Sequence, residues 1–134
     1  MGERALVIFK DGHGSSPTVY LHWSGHRIGE FLTEATPGMR PGDASYACAR
    51  FIGYCHEQIP GVLSLGVTNT PEDGRPYSHG DAGVFIVDVN TGEVETYGGY
   101  GFGNSDPELP LVFGLTTTVT LSLPGITMGD GDMT

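Results

Sequence analysis

Between Asp43 and Pro60 the chain holds one uninterrupted helical stripe, and that stripe limits what the rest can be. Ala44, Ala47, Cys48, Phe51, Ile52, Cys55 and Ile59 recur at steps of three and four, so about four turns of α-helix put all of them on one side. Asp43 stands where a capping carboxylate belongs, and Pro60-Gly61 ends the helix. A helix with one apolar side needs a second layer to cover it.

The covering layer is written in strand patterns. Arg4 to Lys10 is a short apolar strand, and Asp11-Gly12-His13-Gly14-Ser15-Ser16-Pro17 is a dense turn signal. Thr18 to Trp23 alternates, with Val19, Leu21 and Trp23 on one face and Thr18, Tyr20 and His22 on the other, which predicts a β-hairpin. Ser24 is placed to cap a first, shorter helix carrying Ile28, Phe31, Leu32 and Ala35, which Pro37-Gly38 stops. After the long helix, Val62 to Val67 reads as a strand with Leu63, Leu65 and Val67 inward, followed by a polar loop over 70–81. Gly83 to Val89 and Glu93 to Tyr97 form an antiparallel pair across Asn90-Thr91-Gly92, with the glycine in the left-handed position. Leu115 to Leu123 then alternates throughout, setting Leu115, Thr117, Val119, Leu121 and Leu123 against Thr116, Thr118, Thr120 and Ser122. The expected fold is α+β, with two helices on one face of a mainly antiparallel sheet of about five to six strands. Residues 1–104 are expected to form the core domain, and 105–134 a linker, the late strand and a mobile acidic tail.

Charge is divided unevenly along this chain. The formal net charge is −10. Residues 1–61 account for −1 of it, whereas 62–134 hold ten acids against a single base, Arg75. Such a balance argues against a nucleic-acid binder, which needs a basic footprint, and against docking on anionic lipid. No apolar run approaches a membrane span, and Ala5–Phe9 is too short for an export signal. Cys48 and Cys55, about two helical turns apart, are too distant for a disulfide and read as buried thiols, which suits the cytoplasm.

Motifs with chemical potential are few. His22 and His26 have a zinc-like spacing, but no cysteine pair accompanies them. Tyr77-Ser78-His79-Gly80-Asp81 places His79 and Asp81 where a base and its orienting acid could meet, without a nucleophile elbow. Gly98 to Gly103 is not a dinucleotide fingerprint, since no helix follows it; Tyr100 beside these glycines can anchor a partner. Asp130-Gly131-Asp132 lacks the rest of a calcium loop. No cofactor is implied.

Arg4-Ala5-Leu6-Val7-Ile8-Phe9, with Thr18-Val19-Tyr20-Leu21-His22-Trp23-Ser24-Gly25, resembles the opening of a group of small bacterial and phage proteins. These begin with an Arg-Ala strand and then carry a Tyr-x-His-aromatic-x-Gly strand end. The resemblance implies a phage or mobile-element origin and assigns no functional residue. The expected function is an acidic, non-enzymatic interaction protein that binds a basic surface of a host protein, such as a nucleic-acid-handling defence complex, and blocks it. Glu72, Asp73, Asp81, Glu93, Glu95 and Tyr100 are its expected contact residues. The competing expectations are a small metal-dependent or His/Asp hydrolase using His22, His26 and His79 with Asp81, and a structural homo-oligomer joined through residues 115–123.

Overall fold

Two runs of consecutive apolar residues, Ala5–Phe9 and Val84–Val87, make the middle of the sheet. A computed structural model describes residues 4–22, 27–58, 65–72, 83–97 and 115–124. In chain order the elements are β1 (Ala5–Asp11), β2 (Gly14–Ser15), β3 (Thr18–Leu21), α1 (Ile28–Ala35), α2 (Ala44–Gln58), β4 (Leu65–Thr68), β5 (Gly83–Asp88), β6 (Glu93–Tyr97) and β7 (Leu115–Thr120). The sheet has seven strands in the order β4-β3-β1-β5-β6-β7, with the short β2 paired to β1.

The class is α+β, and the sheet is mixed. Five of its pairings are antiparallel, as the hairpin patterns suggest. The central one, β1 with β5, is parallel, from Ala5 opposite Gly83 to Lys10 opposite Asp88. The mainly antiparallel sheet matches the sequence reading, which fell short in strand count and did not pair β1 with β5. The physical reason is two-sided burial. Ala5, Val7, Phe9, Phe85 and Val87 join the helices in the main core, while Leu6, Val84, Ile86 and Tyr97 form a second cluster on the opposite face. A strand buried on both faces reads as a continuous apolar run, which is the mark of a parallel strand rather than of a half-solvated hairpin arm.

Helix α2 delivers the stripe seen in the sequence: Ala44, Ala47, Cys48, Phe51 and Cys55 are buried, and Ile52 packs against the core. Phe51 tilts against Phe9 with ring centroids 5.6 Å apart. Asp43 caps the helix, accepting the Tyr46 N–H at 3.0 Å. Helix α1 buries Ile28, Phe31, Leu32 and Ala35. Its cap position is Arg27, with no side-chain cap bond, and Ser24, expected there, lies outside the described residues. A 3₁₀ turn over Thr36–Gly38 follows, its Thr36 hydroxyl donating to the Leu32 carbonyl at 2.6 Å.

Of the two outer strands, β4 differs from expectation and β7 takes one of the two places open to it. β4 is described over Leu65–Thr68, with 62–64 of the expected strand outside the described residues, and Val67 is 55 % exposed instead of inward. Leu65 still packs against the core, so the helical cover ends within two residues along this outermost strand. Ile59 and Leu63 lie outside the described residues. On the other side, the late strand joins its own sheet: β7 pairs with β6, and Leu121 and Leu123 sit in the main core. The expected tail after residue 124 lies outside the described residues.

Gly92 locks this late strand to the β5–β6 turn. Its φ is +85°, its carbonyl accepts the Leu121 N–H at 2.7 Å, and a Cβ added there would lie 2.3 Å from the Leu121 carbonyl oxygen. A side chain therefore meets both an unfavourable backbone conformation and a backbone atom that cannot swing away. Gly92→Ala is expected to lower unfolding free energy by about 2 kcal/mol or more in urea titrations, whereas Gly12→Ala, with nothing near its added Cβ, stays within about 0.5 kcal/mol. Equal midpoints for the two variants would contradict this account.

Candidate functional site

The end of the sheet where β1, β4 and β5 finish and β6 begins is rich in acids. Asp11, Asp43, Glu72, Asp88 and Glu93 all belong to it or to loops bonded to it. Three of these carboxylates build the loops themselves. Asp11 accepts the N–H groups of His13 at 2.7 Å and Gly14 at 3.1 Å on one oxygen, and that of Ala44 at 2.8 Å on the other. It thus ties the β1–β2 turn to the start of α2. Asp43 caps α2, and Asp88 accepts the Asn90 N–H at 2.9 Å in the β5–β6 turn. The Gly42 N–H to the Val89 carbonyl, and Val89 N–H to the Lys10 carbonyl, close the same end.

The remaining acids face outward. Glu72 is exposed, two residues beyond Thr70, whose hydroxyl donates to the Ser16 carbonyl. Glu93 is exposed opposite Thr120. Glu95, two residues on and on the same side of β6, is half-buried and accepts the Tyr97 hydroxyl at 2.8 Å. Among the described residues, the two ion pairs at 4.0 Å or less, Arg27–Glu30 and Arg40–Asp43, leave Glu72, Asp88, Glu93 and Glu95 unneutralised. Glu93 and Glu95 are neighbours. Glu72 follows β4, which is four strand spacings from β6, on the order of 20 Å. Asp73, Asp81 and Tyr100 lie outside the described residues.

Of the residues expected for chemistry, His22 alone is among the described residues. His22 is half-buried, with Nδ1 2.7 Å from the Tyr20 hydroxyl. His26 and His79 lie outside the described residues, and no group of three His, Cys, Asp or Glu among the described residues is placed to hold a metal ion. Cys48 and Cys55 are buried and unbridged; burial pushes the Cys55 thiol up to about 12 and raises Cys48, so neither supplies a thiolate near neutral pH. Among the described residues, no helix is long and apolar enough to cross a membrane.

One cluster was missed by the sequence reading. Arg50 donates to the Tyr46 hydroxyl at 2.6 Å and lies 4.9 Å from the ring centroid, while Arg40 lies over the same ring at 4.1 Å. The Arg50 hydrogen bond, followed by the charges of both guanidiniums, holds the Tyr46 phenol below its ordinary value. Tyr46 and Arg50 are four apart on α2, a helical spacing that could have signalled the contact. Arg50 also lines an open cleft of about 320 Å³ between α1 and α2, with Glu34, Tyr54 and Glu57.

The Asp11 contacts have a pH consequence. Hydrogen bonds from Ala44 and then His13 hold its carboxyl below the usual 3.8. A carboxyl lowered on folding stabilises the fold above its unfolded pKa, and that contribution is lost as pH falls through the folded value. From about pH 5 to about pH 3, the thermal midpoint of the wild type is expected to fall more steeply than that of Asp11→Asn, which has no proton to gain there. Parallel curves would show that Asp11 does not supply the difference.

Comparison with family models, with curated proteins and with solved structures finds no match for this chain.

Proposed function

We propose that this chain is a non-enzymatic interaction protein whose acidic half docks on a basic protein surface and obstructs it. The observation that carries the reading is the lack of internal neutralisation: β4 to β7 and their described flanks carry Glu72, Asp88, Glu93 and Glu95 and no lysine or arginine. Carboxylates kept without an ion pair steer a cationic partner by long-range attraction. The finer reading is a partner that handles nucleic acid, whose basic groove takes a row of phosphates. A carboxylate series at strand-residue spacing offers such a groove a substitute. Action in the cytoplasm, against a host defence protein and from a phage or mobile element, extends the resemblance of the first thirty residues. Asp73, Asp81 and Tyr100 complete the proposed contact set.

Affinity capture from host lysate with wild type and a Glu72→Gln/Glu93→Gln/Glu95→Gln variant tests this. The wild type is expected to retain basic proteins at ~0.1 M salt and release them by ~0.5 M, where screening shortens the reach of charge to a few ångströms. The variant is expected to retain at least about tenfold less at low salt. Equal retention by both proteins, or retention persisting at ~1 M salt, would overturn the electrostatic mechanism.

A further inference from the structure

Among the chain's six basic residues, Arg40 and Arg50 are held against one phenol ring although the molecule is strongly acidic. Two like charges at one ring repel each other. Compensation is indirect, since Glu34 and Glu57 share a cleft with Arg50 without forming an ion pair with it. Arg40 has only a long contact, 3.8 Å, to Asp43, whose carboxylate is already engaged by the Tyr46 N–H. Among the described residues, no carboxylate comes within ion-pair distance of Arg50. Yet Arg50 is aimed: its aliphatic stem passes Gly38, where an added Cβ would touch Cδ at 3.8 Å, and its head meets the Tyr46 hydroxyl. That hydroxyl accepts from Arg50 and keeps its own proton to donate outward.

We propose that Arg40, Tyr46 and Arg50 hold the phosphate of a sugar phosphate, whose hydroxylated body lies in the cleft between α1 and α2. Two guanidiniums and a hydroxyl match a phosphate monoester, with its near-double negative charge and three acceptor oxygens, better than a carboxylate with one charge. The cleft beside Arg50 continues the site with acceptors rather than more cations: Glu34 and Glu57 line it, and the Tyr54 hydroxyl bonds Glu34. Carboxylates there suit sugar hydroxyls, which donate. At about 320 Å³ the open cleft has room for a body of pentose or hexose size. This site uses other residues than the acidic half and stands or falls apart from it.

The test is an NMR titration of the full chain with inorganic phosphate, ribose 5-phosphate, glucose 6-phosphate and glucose, with circular dichroism to confirm that each variant folds. A sugar phosphate is expected to shift Tyr46 and Arg50 resonances saturably, with affinity about tenfold or more above inorganic phosphate, and glucose to shift neither. Arg50→Gln and Arg40→Gln are each expected to weaken sugar phosphate and inorganic phosphate by about tenfold. Glu57→Gln is expected to weaken the sugar phosphates alone. Failure of both sugar phosphates to saturate by ~10 mM, unchanged binding by the arginine variants, or equal affinity for inorganic phosphate would overturn the proposal.

Discussion

Burial of β1 and β5 on both faces is the constraint on which the rest of this structure depends. Val7, Ile8, Phe9, Val84 and Val87 are fully buried, and so is Phe85 to within 1 %. Strands buried in this way need partners along both edges for their backbone groups and cover for both faces. β3 and β6 supply the edges; α1 and α2 supply one face, packing Phe31 and Phe51 onto Phe9 and its neighbours. On the second face, Tyr20, Leu6, Val84 and Tyr97 stand in register on β3, β1, β5 and β6. The two tyrosines carry their hydroxyls to His22 and Glu95, so the polar ends are satisfied at the margins of an apolar floor.

A few polar contacts fix how the layers meet. The Asp11 carboxylate bridges the β1–β2 turn and the first residue of α2, so the sheet sets where the helix begins. Ser16 is buried within that turn, donating to the Pro17 carbonyl and accepting the Phe9 N–H. Thr70 then reaches back to Ser16 and Thr18, holding the chain beyond β4 against β3. Gly92 does the equivalent at the other side by admitting the Leu121 backbone. These contacts explain why loops rich in Gly, Ser, Thr and Asp connect a fold in which most of the apolar burial lies in strands and helices.

Much of this architecture was legible in the residues. The α2 stripe, the Asp43 cap, the left-handed Gly92 and the inward Val119, Leu121 and Leu123 follow from periodicity and turn chemistry. The parallel direction of β1 and β5 did not, because a pairing between residues nearly eighty apart leaves no local mark beyond their continuous apolar runs. Val67 was misplaced because alternation reports a strand's two faces and not where a covering helix ends. For the site, the sequence supplied the charge imbalance but not its geometry. Glu93 and Glu95 share one side of β6, as expected, whereas Asp11, Asp43 and Asp88 turned out to be bonded to backbone amides. The Arg40–Tyr46–Arg50 cluster was invisible as a whole because Arg40 reaches Tyr46 from a loop, without a fixed spacing.

Charge is thus distributed by layer. In the helical region Arg27 pairs with Glu30 and Arg40 reaches Asp43, while the strands from β4 onward carry acids and no lysine or arginine among their described residues. An arrangement of this kind opposes folding through self-repulsion among the carboxylates. The direct test is the thermal stability of wild type and Glu72→Gln/Glu93→Gln across salt concentration. At ~0.02 M salt the variant is expected to melt above the wild type, and the gap to close by ~0.5 M as the charges are screened. A variant that melts below the wild type at low salt, or a gap that salt does not change, would contradict the claim that these carboxylates lack internal partners.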